Sequence, residues 1–120
     1  MHVAYWIVAG LLAAFYLYSG VLKASRSRER LRPMMAWVDT IPMPVVRAIG
    51  AVEIIGALGL VLPPLTGVAS WLALAAAAGF VLLQLGAVRV HLRLGDRQVA
   101  LNLVLLVVAA VTGWLATIWL

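Results

Sequence analysis

Few side chains in this sequence can do chemistry, and their surroundings say more than their number. Glu53 sits inside an apolar run, with Gly50 three residues before it, Gly56 three after and Ala57 four after. A carboxylate in hydrocarbon is costly to ionise, so an acid in such a run pairs with something, binds something or stays protonated. Small neighbours at helical spacing let a second helix come close. Tyr16, Ser19 and Lys23 are separated by three and four residues and share a helix face, as do Gln84 and His91, seven apart. Asn102 stands near the start of the last apolar run. Lys23, Glu53, Gln84, His91 and Asn102 therefore form the candidate ligand-binding set, offering donors and acceptors for the polar head of a small molecule. Glu53 and His91 are the candidates for proton exchange, and hence for catalysis if there is any. Each residue also has an ordinary use. Lys23 at a helix end can snorkel to head groups. His91 lies between Arg89 and Arg93 at an interface, and Gln84 and Asn102 can join helices, a bond worth about 1 kcal/mol.

The elements that must position these groups are membrane helices. Of 120 residues, 66% are hydrophobic and 11% charged, against about 45–50% and about 25% in soluble domains. The length suits a single integral membrane domain. Four apolar stretches stand out, at about Val3–Leu22, Val45–Leu65, Val68–Val88 and Val99–Leu120. As helices of about 20 residues they rise about 30 Å, the thickness of a hydrocarbon core. Membrane strands would alternate polar and apolar residues over about 10 positions, and these runs do not. No basic residue precedes the first run, which is longer than a signal's apolar stretch, so it reads as a retained helix. The expected fold is an all-α bundle of four transmembrane helices.

Basic residues orient it. Lys23, Arg26, Arg28, Arg30, Arg32 and Arg47 fall between or beside the first two spans, and Arg89, Arg93 and Arg97 between the last two. The link Pro63-Pro64-Leu65-Thr66-Gly67 carries none. The positive-inside rule places both basic loops in the cytoplasm and both termini outside, in a multi-pass protein of the cell (plasma or inner) membrane. Tyr5, Trp6, Trp71, Trp114 and Trp119 lie toward the outer ends, where an aromatic belt would sit. The net charge of +5 then reflects topology and contact with lipid head groups, not nucleic-acid binding. Within Arg26–Pro44, Leu31, Met34, Met35 and Val38 follow helical spacing. That predicts a short amphipathic piece, begun or broken at Pro33, on the inner surface or folded under the bundle, with Trp37 at head-group level. Pro63-Pro64 is expected to end the second span and make a tight outer turn. Polar side chains thus gather in the inner half of every span, predicting a polar pocket open toward the cytoplasmic leaflet.

Several chemistries are excluded. There is no cysteine, hence no thiol or disulfide chemistry. The only histidines, His2 and His91, fall on opposite sides of the expected topology, so no metal site is predicted. No serine has a histidine at a spacing that suggests a nucleophile and its base.

The pieces Tyr18-Ser19-Gly20-Val21-Leu22-Lys23, Ile49-Gly50-Ala51-Val52-Glu53-Ile54-Ile55-Gly56-Ala57-Leu58-Gly59-Leu60, Pro63, His91-Leu92-Arg93-Leu94-Gly95-Asp96 and Asn102 occur in an order and spacing that resembles the DoxX-like family of small four-helix membrane proteins. The resemblance spans nearly the whole chain. It implies a four-helix membrane bundle and marks Lys23, Glu53, His91 and Asn102 as functional positions. The family takes its name from a membrane subunit of a thiosulfate:quinone oxidoreductase, and other relatives look like anchors for enzymes of oxidative or thiol stress. A cysteine-free member of a redox complex would be its anchor or its quinone-binding part, with a soluble or membrane redox partner. Quinone is thus the cofactor the resemblance suggests. Two other readings stand beside it. One is a scaffold that recruits a soluble partner through the basic loop. The other is a small proton-coupled exporter, disfavoured because the small multidrug resistance family carries its acid in the first helix. Gly10 to Ala14, Ala73 to Ala77 and Ala109 to Gly113 have small-xxx-small spacing compatible with a homo-oligomer, though in an alanine-rich chain such spacing arises easily.

Overall fold

A computed structural model describes residues 2–95 and 98–120. They form five helices: α1 (His2–Ser25), α2 (Arg28–Leu31), α3 (Met43–Thr66), α4 (Leu72–Leu94) and α5 (Gln98–Ala116), with single 3-10 stretches at Ala36–Thr40 and Thr117–Trp119. The four long helices are long and apolar enough to cross a membrane, and no strand occurs among the described residues. The fold is the expected all-α four-helix bundle.

Side-chain size sets the packing. α1 packs most extensively on α3 and α4 on α5, while α3–α4 and α1–α5 contacts close the ring. Where α1 crosses α3, a Cβ on Gly20 would lie 2.7 Å from the Gly50 carbonyl oxygen, and one on Gly50 would lie 2.7 Å from that of Gly20. Only two glycines permit this approach. Phe80 of α4 lies flat over Gly56, where a Cβ would come within 2.5 Å of the ring. Leu12, Tyr16, Ala57, Leu60, Ala77, Phe80 and Ala109 fill the middle of the bundle. Val3, Ile7, Leu11, Ile55, Leu82 and Val107 are exposed on the outside, as helices facing lipid require. Ala73, Ala77 and Ala109 are buried within the bundle, and Ala77 meets Gly113 across α4 and α5. These two small-residue spacings are therefore used within the chain.

Antiparallel neighbours bring the end of α1, the start of α3, the end of α4 and the start of α5 together. Every described lysine and arginine lies at or near this arginine end; Asp96 and Arg97, which belong to the same stretch by sequence, lie outside the described residues. At the opposite end, the rings of His2, Tyr5, Trp6 and Trp119 form an edge-to-face cluster. Tyr5 is fully buried there, so it is a core residue and not part of an aromatic belt. Trp71 and Trp114 are exposed.

Three local expectations change. First, Pro63 and Pro64 do not end the second span: α3 continues through both to Thr66. Amides at these positions would bond to the carbonyls of Gly59 and Leu60, and proline supplies neither. The Tyr5 hydroxyl donates to the Leu60 carbonyl at 2.6 Å, satisfying one of the two. Gly67, at φ 75°, then caps the helix. Second, the third span lies later than Val68–Val88. The turn after Gly67 delays α4 to Leu72, and the helix ends only at Gly95, at φ 68°. Arg89, His91 and Arg93 are therefore helical. Third, the amphipathic piece is two short elements split at Pro33, together forming a strap folded beneath the bundle. Leu31, Met35, Trp37 and Val38 are buried in it against Val46, and Met34 is exposed. Trp37 is thus a packed residue and not a head-group anchor.

Candidate functional site

Lys23 of α1 and Glu53 of α3 form an ion pair. The Gly20–Gly50 crossing makes this possible, because it brings the two backbones together beside the pair. Glu53 is fully buried and the Lys23 side chain is 12% exposed. Ser19, one turn before Lys23, is buried beside the same carboxyl. Arg47 secures the end of α1: its guanidinium donates to the carbonyls of Lys23 (2.9 Å) and Arg26 (2.6 Å). A cation suits a helix C-terminus, where unpaired carbonyls concentrate negative charge. Below the pair, the Trp37 ring centroid is 5.4 Å from the Lys23 ammonium.

On the facing helices, the Gln84 side-chain amide donates to the Tyr16 hydroxyl, and the Tyr16 ring stacks on Phe80 at 3.9 Å with an 8° interplanar angle. His91 is buried on α4, its ring meeting Trp37 edge-on at 6.3 Å. Asn102 is buried on α5. Lys23, Glu53, Gln84, His91 and Asn102 all line one cavity of about 560 Å³, along with Tyr16, Ser19 and Trp37. The structure therefore brings together every candidate residue read from the sequence, one or two from each long helix. Volumes of about 300–1,000 Å³ are usual for small-molecule sites.

Two features decide what this cavity can hold. Lys23 and Glu53 cancel each other's charge, so the wall suits a neutral polar group. Glu53 Oε2, Gln84 Oε1 and Asn102 Nδ2 are buried with no hydrogen-bond partner among the described residues. A buried polar atom left unpaired costs about 1–3 kcal/mol, so two acceptors and one donor are left unsatisfied in residues that line the cavity. No group of three His, Asp or Glu side chains able to hold a metal occurs among the described residues.

Tyr16 and Trp37 were not among the five site candidates. Tyr16 carried a signal, since it shares a helix face with Ser19 and Lys23. Trp37 carried none, because it reaches the site through a strap whose path no periodicity encodes. Comparison with curated proteins and with solved structures found no match. The sequence profile of the DoxX-like family matches residues 7–112, a range that contains all five candidate residues; the chain is a membrane protein belonging to the DoxX-like family.

Proposed function

We propose that this protein is a membrane subunit that binds a neutral, quinone-like small molecule in the cavity between its helices, near the inner leaflet, and serves a membrane-bound redox complex. The observation that carries this reading is the set of unpartnered atoms of Glu53, Gln84 and Asn102, in residues that line a cavity whose wall is mostly apolar. Their chemistry fits a ring bearing carbonyl or hydroxyl oxygens. Asn102, Lys23 and His91 are donors suited to a carbonyl oxygen; Glu53 and Gln84 are acceptors suited to a hydroxyl. Such a group, when bound, would carry the electrons. The chain's own part is to hold the head group, to keep water away from it, and to hold or release a proton at the Glu53 carboxyl. In this reading the arginine end faces the cytoplasm and both termini face outward.

The test is Glu53→Gln. It keeps the side chain's shape and removes the titrating oxygen. Calorimetric binding of decylubiquinone to the detergent-solubilised variant is expected to weaken at least about tenfold, as loss of a charged hydrogen-bond partner implies, while the helical circular dichroism spectrum is retained. Unchanged affinity would sink the proposal.

The scaffold reading has one observation in its favour. Arg26, Arg30 and Arg93 are exposed at the arginine end, on a surface an acidic soluble partner could meet. Charge reversal there would release such a partner, whereas Glu53→Gln would leave it bound.

A further inference from the structure

Resting on the reading of the cavity as a ligand site, we propose that it is loaded from the bilayer and that the strap beneath it, locked by Trp37 and Arg28, is its seal against water. The flanks of the cavity support a lipid route. Tyr18, Leu82 and Leu101 line it, yet are 61%, 69% and 42% exposed. They lie on helices long and apolar enough to cross a membrane, so the surface they expose is lipid-facing. A guest sliding in from the acyl chains meets apolar walls first and the polar groups of Glu53, Gln84 and Asn102 last.

At the floor Met34 of the strap also lines the cavity and is 53% exposed, but the way to the polar groups is covered by a buried ring. Trp37 is 8% exposed although it belongs to the connection between two spans. Its ring lies against the Lys23 ammonium and edge-on to His91, so one side chain covers a basic group from α1 and another from α4. The strap is tied to itself outside the cavity. The Arg28 guanidinium donates to the Val38 carbonyl at 2.7 Å and the Ile41 carbonyl at 3.2 Å, and the Thr40 hydroxyl donates to the Trp37 carbonyl at 2.8 Å. Leu31, Met35 and Val38 give the strap a buried apolar face of its own. A solute entering from the aqueous side at the strap would have to lift Trp37 from Lys23 and peel Leu31, Met35 and Val38 from Val46. The two charge-assisted bonds of Arg28 keep the strap folded, so that it resists as one piece. The consequence is a substrate class. Occupants are molecules that partition into the bilayer, and water-soluble polar metabolites are excluded even though the deepest groups are polar.

The chain has no cysteine, so single thiols can be introduced without background. Ser19→Cys puts one on the cavity wall, and Ser25→Cys puts one on the exposed end of α1 as a reference. Each is reconstituted into phosphatidylcholine nanodiscs and treated with a charged, water-soluble methanethiosulfonate or with bilayer-partitioned pyrene maleimide. With the strap intact, Cys at position 19 is expected to react with pyrene maleimide and to react with the charged reagent at least about tenfold more slowly than Cys at position 25. Adding Trp37→Ala or Arg28→Gln is expected to raise the charged reagent's rate at position 19 about tenfold or more and leave position 25 unchanged, as for release of a locally bonded segment. Arg28 does not line the cavity, so Arg28→Gln tests the seal even if Trp37→Ala fails to fold. The inference is overturned if the charged reagent labels both positions equally with the strap intact. It is equally overturned if Arg28→Gln, in a bundle of unchanged helicity, leaves the rate at position 19 unaltered. No ligand is involved, so this outcome is separable from that of the quinone-binding test.

Discussion

A lysine and a glutamate meeting inside a membrane bundle are bound more by what their separation would cost than by their attraction. Glu53 has no access to solvent, and Lys23 has little. Removing one partner leaves the other's charge buried and unpaired, which costs about 3–5 kcal/mol in buried pairs, whereas replacing both with apolar groups is near neutral. Lys23→Met alone is therefore expected to lower the melting temperature clearly, and Lys23→Met combined with Glu53→Met to restore most of the loss, as followed by circular dichroism in detergent. A double variant no more stable than the single one would mean that the pair's energy lies in its packing and not in its charge. Glu53 was legible in the sequence because an acid within an apolar run is physically expensive. Its partner was legible only as a member of a set: Lys23 is thirty residues away, and nothing in either segment says which of the basic or polar candidates would reach the carboxyl. That choice is made by Gly20 and Gly50, whose missing side chains decide which two helices touch.

At the scale of elements, glycine and proline have effects that depend on their neighbours in space. Gly50→Ala would place a methyl group 2.7 Å from the Gly20 carbonyl oxygen and 2.9 Å from the backbone nitrogen of Ala24. Backbone cannot rotate away as a flexible side chain can, so the expected loss is about 1–3 kcal/mol, typical of overpacking. Gly10→Ala meets nothing within 4 Å and is expected to be neutral or stabilising by up to about 1 kcal/mol; equal melting temperatures for the two variants would contradict the crossing described here. Proline gives the second case. Four spans were readable from length and hydropathy, because a membrane leaves the backbone no alternative to a helix. The end of α3 was not, since proline ordinarily stops a helix, and the tyrosine that meets a freed carbonyl lies at the other end of the pairing, on α1. Tyr5→Phe is expected to cost about 1 kcal/mol. In a Pro64→Ala background, where a backbone amide is again available to Leu60, the same substitution is expected to cost almost nothing. A melting-temperature cycle over the four proteins measures this coupling, and additive losses would show that the phenol and the proline act independently.

The molecule as a whole is polar at one end and aromatic at the other, and this asymmetry links its topology to its site. The bundle is 40 Å along its longest axis, close to the full thickness of a bilayer with its head groups. The arginines at the end holding the cavity are of three kinds, Arg32 being exposed but paired with Asp39. Arg28 and Arg47 are committed to carbonyls of the strap and of α1, while Arg26, Arg30 and Arg93 are exposed and available to anionic head groups. All of these arginines can act as topology signals during insertion, since Arg28 and Arg47 take up their bonds only once the strap and α1 are in place. In the proposed orientation the arginine end lies in the cytoplasm, and with it the Lys23–Glu53 pair in the inner half of the membrane. Single cysteines read this directly. Thr117→Cys lies at the far end, on an exposed residue of the terminal turn, and Ser25→Cys at the arginine end. In intact cells a membrane-impermeant maleimide is expected to label position 117 and to reach position 25 only after lysis. The reverse pattern would put the cavity near the outer leaflet, so that any proton taken up by Glu53 would come from outside the cell; the cavity itself would survive such a result, but its proposed position near the inner leaflet would not.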